Sequence, residues 1–252
     1  MRIPIFCFLI SVFFFTNATA QPELTIVRGN KNYPPYEIYQ PGEPVTGFHI
    51  DLVTAVAERL GVTVTFNSVP WRRALYMIES GQADAITYMG KTPEREQFAI
   101  FEPGNKISHS INAFFVRQGE AEKIGYQGDF RKLNGYMIGK VLGYSYGTNF
   151  DNFPWLSITD NAKDEKRQLD MLLAHHIDIG IANKDRVAYF ASQAGIRQKI
   201  EFLAPTFSPI PQYLAFSKAS PNHEWATPFA LAMLEFIQSE EYQLLIKKYQ
   251  IE

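Results

Sequence analysis

The sequence predicts an α/β protein of two lobes with a cleft between them. Three observations lead there. Strand and helix patterns alternate from Leu24 to Tyr88, and a second alternation runs from Tyr136 to Ala191. A proline-stiffened stretch, Ser208-Pro-Ile-Pro211, then leads back into a further strand. Strands alternating with helices build parallel sheets with the helices packed against them. Two such units joined by extended segments leave a crevice, the usual place for a small ligand.

The first twenty residues are not expected to belong to the fold. Arg2 is basic, Ile3 to Phe15 is nearly all apolar, and Ala18-Thr19-Ala20 supplies the small residues of a cleavage site. This reads as a secretory signal peptide cut before Gln21, the apolar run being too short for a comfortable membrane span. The single cysteine, Cys7, lies inside that run, so the mature chain would have no disulfide, thiol nucleophile or cysteine metal site. The 24 Lys and Arg against 26 Asp and Glu give a net charge of −2 at pH 7, no footprint for nucleic acid. The reading is a protein that works outside the cytoplasm, large enough for two lobes of roughly 100 residues each.

Leu24 to Arg28 reads as a strand. Ile50 to Leu60 follows Gly47 with Ile50, Val53, Val56 and Leu60 at helical spacing. Val62 to Phe66 is a strand by its β-branched alternation. Trp71 to Ser80 is a helix closed by Gly81, and Ala85 to Tyr88 the next strand. Gln118 to Gly135 is polar and reads as a surface connection. The second unit has a strand at Tyr136 to Leu142, a helix at Asp164 to His175, a strand at Ile177 to Ile181 and a helix from Arg186. After the proline crossing come a strand at Tyr213 to Ser217 and helices at Trp225 to Gln238 and Glu240 to Lys248.

Four stretches carry a family likeness: NYPPYEIY (32–39), GFHIDLVTAVAERLGV (47–62), GQADAITYMGKTPEREQFAIF (81–101) and HHIDIGIAN (175–183). In this order they resemble the family 3 periplasmic solute-binding proteins, which deliver amino acids to ABC transporters. The resemblance implies a type II periplasmic binding-protein fold, with the ligand cleft between lobes joined by a two-strand hinge. It divides the chain into lobe 1, residues 21–108 and 212–252, and lobe 2, residues 109–211. It also implies a partner permease in the inner membrane and a monomer; no cofactor is expected, and the scattered histidines, with His175 and His176 pointing apart on one helix, suggest no metal site.

The resemblance assigns roles residue by residue. Arg95, in Thr-Pro-Glu-Arg, would clamp the ligand carboxylate, since a guanidinium forks two donors at a carboxylate and keeps its charge. A surface Arg paired with Glu94 or Glu96 is the alternative, which the surrounding match outweighs. Tyr33 and Trp71 match the aromatic pair that sandwiches the ligand, with core packing as the alternative. Tyr88, Met89 and Gly90 form the segment whose backbone meets the ligand. Asn183 and Asn30 stand where amino-acid binders often carry Asp, and an amide accepts a hydrogen bond without neutralising an ammonium. Asn183 reads equally well as the cap of the next helix, and Asp185 as a substitute acid.

GYSYG (143–147) has the Gly-x-Ser-x-Gly spelling of a nucleophile elbow. The resemblance instead makes it a cleft loop, with Tyr144, Ser145 and Tyr146 as ligand contacts. Asp178 or Asp185 and then His223 follow Ser145 in hydrolase order. However, no His-Gly-Gly-Gly segment precedes the serine, and Pro154 interrupts where the elbow helix would run. The catalytic glutamate of dehydratase relatives falls at Arg186. The expected function is therefore capture without catalysis, with an enzyme or a sensor on the same scaffold as the alternatives.

Overall fold

The structure, a computed structural model, describes residues 21–40, 42–142, 146 and 148–251. The expected signal peptide and, within the glycine loop, Gly143, Tyr144, Ser145 and Gly147 lie outside the described residues.

The first lobe starts with Glu23–Gly29 (β1), whose Leu24, Ile26 and Val27 are fully buried. A central parallel strand is covered on both faces, so it reads as a near-continuous apolar run. Phe48–Arg59 (α1) lays Phe48, Leu52, Val53 and Val56 on the sheet. It begins two residues earlier than its apolar spacing suggests, after Gly47 at φ 123°, where a Cβ would lie 2.4 Å from the Tyr36 carbonyl oxygen. Thr63–Val69 (β2) and Ala85–Gly90 (β3) flank β1 in parallel, and Trp71–Glu79 (α2) connects them. Ala99–Ile100 (β4) and Lys106–Ser110 (β5) complete this pass of the chain.

Asn112–Arg117 (β6) opens the second lobe. It is followed by Ala121–Ile124 (α3), Met137–Val141 (β7), Thr148–Asp151 (α4), Ser157–Ala162 (β8), Glu165–Leu173 (α5), Ile179–Asn183 (β9), Lys184–Gln193 (α6) and Ile200–Phe202 (β10). The sheet order is β10-β6-β9-β7-β8, with β7 parallel to both β8 and β9. Asp164 caps α5 by accepting the Arg167 N–H at 2.8 Å. The expected polar connection at 118–135 is more than surface, since Ile124, Tyr126 and Leu133 enter the core of this lobe. Gly180 sits opposite Phe115 across the β6–β9 ladder, and a Cβ there would come within 2.2 Å of the ring. The phenyl ring fills the space that a side chain at 180 would need.

The chain returns through Ile210–Ser217 (β11), which joins the first sheet antiparallel to β3, β4 and β5. Ala226–Phe236 (α7) and Glu240–Tyr249 (α8) then close the first lobe, and the first sheet runs β2-β1-β3-β11-β4 with β5 paired to β11. The segments joining the lobes thus pair with each other, Ser108 opposite Gln212 and Ser110 opposite Ile210. Each lobe has its own apolar core, and the crevice lies where the two connections meet.

Candidate functional site

β3 delivers the first side chain to the crevice by breaking its own ladder. Met89 pairs with Tyr213 and Ile86 with Ala215, so two residues of β3 face one of β11. Tyr88 lies in this bulge with φ at 53°, a left-handed conformation rare for an aromatic residue. The bulge turns its ring out of the strand alternation and against Tyr33, 5.4 Å between centroids. Met89 points the other way and is fully buried among Val27, Ala74 and Ala215. Only its backbone is available to the crevice.

Trp71 is the first residue of α2, after Pro70, and is 36 % exposed. Its indole packs beside Gly29 and lies under the Arg95 guanidinium, 5.6 Å from ring centroid to charge. Arg95 starts the short turn after Pro93, where the Thr92 hydroxyl accepts its N–H at 3.3 Å. Its Nη1 donates to the Gly90 carbonyl at 2.7 Å, and burial pulls its pKa down without removing the charge. One edge of the fork is thus fixed and the rest faces the crevice.

These residues line a cavity of about 420 Å³, bounded by Tyr33, Trp71, Tyr88, Gly90, Lys91, Thr92, Arg95, Ile210 and Gln212. Five of the residues expected from the sequence therefore converge: Tyr33, Trp71, Tyr88, Gly90 and Arg95. Gln212 and Ile210 were not anticipated. Gln212 comes to Gly90 only through the β3–β11 register. Lys91 is held at the rim by Glu96 at 2.7 Å.

Other expected contacts lie elsewhere. Asn183 caps α6, its Oδ1 accepting the Arg186 N–H at 3.1 Å while its Nδ2 reaches Ser110 at 3.3 Å. Asn183 therefore serves as the cap of α6. Asn30 is exposed and outside the cavity lining, its N–H bonded to the Val69 carbonyl at 2.9 Å. Tyr146 is buried against Phe150 in the second lobe, because the core there needs its ring and Asp151 holds its N–H. Asp185 is not a spare acid, since it accepts the Tyr36 hydroxyl hydrogen bond across the lobes. For the elbow reading, Ser145 lies outside the described residues. Asp178 accepts the Met137 N–H at 2.8 Å, and the His223 ring bonds to the Ser220 carbonyl at 2.9 Å.

A charged network beneath the aromatic wall has no counterpart in the sequence reading. Arg28 on β1 is fully buried, its Nε donating to Glu37 at 2.8 Å. Glu37 also meets His49 Nδ1 at 3.3 Å, and His49 Nε2 reaches Ser108 on β5 at 2.9 Å. Burial alone would raise the Glu37 carboxyl, but His49 and Arg28 hold it below its usual range. Burial keeps His49 below its ordinary pKa and therefore neutral at pH 7. Tyr36 stacks on His49 at 4.9 Å and on Tyr88 at 5.7 Å.

Burial pushes the Tyr88 phenol up to about 12. The unfolded chain ionises a tyrosine near pH 10. Stability from this group is therefore whole below pH 10 and falls as the pH climbs through 12. Urea melts across that range should show the loss, and Tyr88→Phe should make it shallower. An unchanged slope in the variant would mean that the Tyr88 hydroxyl is solvated.

Comparison with known proteins returns one family model, that of the bacterial extracellular solute-binding proteins, family 3, matching residues 26–252. The arginine-binding periplasmic protein of Mannheimia haemolytica is 27 % identical over 147 residues, 58 % of this chain and 54 % of that protein. A probable ABC transporter arginine-binding protein of Chlamydia trachomatis, ArtJ, is 32 % identical over 95 residues, 36 % of this chain and 37 % of that one. The chain thus matches about half the length of these curated relatives, or less. Among solved structures, the L-cystine solute receptor of Neisseria gonorrhoeae in its unliganded open conformation superposes with a TM-score of 0.73. It is 17 % identical, with 91 % of this chain and 93 % of that one covered.

Proposed function

The chain belongs to the family 3 bacterial extracellular solute-binding proteins, and from that premise we propose that it captures a small carboxylate-bearing solute, an amino acid or a close derivative, for an ABC transporter. The observation that carries this reading is Arg95, fixed between the Gly90 carbonyl and the Trp71 ring at the edge of an aromatic-lined cavity. A guanidinium so placed has donors to spare for a carboxylate, and Tyr33, Trp71 and Tyr88 supply flat apolar contact.

In this proposal residues 21–108 and 212–252 form one lobe and 109–211 the other, the paired β5 and β11 acting as the hinge. The Tyr36–Asp185 hydrogen bond and the donation from Arg186 Nη1 to the Asn32 carbonyl at 3.1 Å join the lobes near the cavity. Admitting a solute would part these contacts, and closure would remake them around it. The signal peptide would place the protein in the periplasm, where it would meet a permease.

A thermal-shift screen of the exported chain against amino acids, N-acyl amino acids and small organic acids tests the proposal. A ligand at a hundred times its Kd adds about 2.7 kcal/mol to stability, a shift of several degrees. At least one carboxylate should produce it. A folded protein that no carboxylate stabilises would overturn the proposal.

A further inference from the structure

The charges around the cavity narrow the solute class. Its lining contains two cations, Arg95 and Lys91, and no Asp or Glu among the described residues. Among the neighbouring acids, Glu94 lies outside the lining and bonds to Thr92 beside Arg95, and the others are held by cations or a phenol. Glu165 receives Arg186 through two bonds, Nε to Oε1 at 2.6 Å and Nη2 to Oε2 at 2.8 Å. Asp185 accepts from Tyr36, Glu37 holds Arg28, and Glu96 holds Lys91. The amide oxygen of Asn183 accepts the Arg186 N–H and carries no charge to neutralise an ammonium.

The aromatic walls are also in use. The Arg95 guanidinium lies 5.6 Å from the Trp71 ring, and the Arg186 guanidinium lies 5.3 Å from the Tyr33 ring. Each ring thus already has a cation within cation–π distance. An incoming ammonium or guanidinium would lose water, meet the Arg95 charge at one wall and the already neutralised Arg186–Glu165 pair at the other, and find no carboxylate in the lining. An amide N–H or a hydrocarbon carries no such charge. Gln212 has only one of its two amide ends bonded to protein, Nε2 reaching the Ile210 carbonyl at 3.4 Å. Its amide oxygen and nitrogen both lie 3.8 Å from where a Cβ on Gly90 would stand, so an uncharged polar group lines the cavity there.

Resting on the carboxylate-capture reading, we infer that the preferred solute is a carboxylate whose amino group is acylated or absent, and that the site discriminates against free cationic amino acids such as arginine. The probes are L-phenylalanine, N-acetyl-L-phenylalanine, 3-phenylpropionate, L-arginine and agmatine, titrated by calorimetry into the exported chain. N-acetyl-L-phenylalanine or 3-phenylpropionate should bind at least tenfold more tightly than L-phenylalanine, with L-arginine weaker still. Gln212→Glu, which places a carboxylate beside Gly90, should narrow or invert that order. L-phenylalanine or L-arginine binding as tightly as the amine-free acid would overturn the inference and leave carboxylate capture standing. Agmatine has no carboxylate, so its binding would overturn both, as would silence from all five probes together with silence from every carboxylate in the thermal-shift screen.

Discussion

Arg95→Ala should weaken binding of the carboxylate found by screening by about 2–4 kcal/mol, the cost of truncating one partner of a desolvated charged hydrogen bond. Two contributions add in the same direction. The solute carboxylate loses a forked donor, and the Gly90 carbonyl loses the 2.7 Å bond that fixes the backbone at the cavity floor. Arg95→Lys restores charge without the fork, so it should recover part of the affinity and no more. Thermal stability of the free protein should barely change. Arg95 is only part-buried, and burial already disfavours its charged form. Calorimetry with each variant separates these outcomes. Near-unchanged affinity in Arg95→Ala, with a normal melting curve, would move the carboxylate to another wall of the crevice.

Much of this site can be read from the order of short motifs, because each is tied to a local structural need. Pro93 and Thr92 shape the turn that aims Arg95, Pro70 starts the helix that exposes Trp71, and the apolar period places β1, α1, β2, α2 and β3. What could not be read depends on distant partners. Lys106–Ser110 has one buried residue, Ile107, between exposed and half-buried neighbours, so its strand character comes from pairing with β11. Ser157–Ala162 is polar along most of its length for the same reason, lying at the edge of its sheet. Asn183 is spelled alike as a ligand contact or a helix cap, and only the folded chain shows the cap, with the Arg186 N–H at 3.1 Å. Gln212 follows two prolines with no pattern of its own, and register alone brings it to Gly90. The Arg28–Glu37–His49 network was the least legible. A single arginine in an apolar strand gives no hint that its partner lies nine residues on, in a loop.

That network should dominate the stability of the first lobe. Glu37→Ala leaves the Arg28 guanidinium fully buried without its carboxylate, and removing one partner of a buried ion pair costs about 3–5 kcal/mol. Arg28 keeps Ser68 at 3.1 Å and the Lys31 carbonyl at 2.7 Å, which places the expected loss toward the lower end. Against a total of about 5–15 kcal/mol for a folded domain, that loss is large. Urea denaturation measures it, and Arg28→Met combined with Glu37→Leu should recover most of it, since the double change removes both charges together. A loss below about 1 kcal/mol in Glu37→Ala would mean that water reaches Arg28 when the pair is broken. Binding should weaken as well, although Glu37 does not line the cavity. Glu37 pairs through its backbone with Tyr33, and His49 below it stacks on Tyr36 and holds Ser108 of the hinge strand. Acid should act on the same groups. His49 is depressed from 6.5 and Glu37 from 4.5, so their contributions are whole above those values and are lost as the pH falls through the folded ones. The wild-type protein should therefore begin to lose stability below about pH 6.5, first through His49 and then through Glu37, and Glu37→Ala should lack the second of these steps.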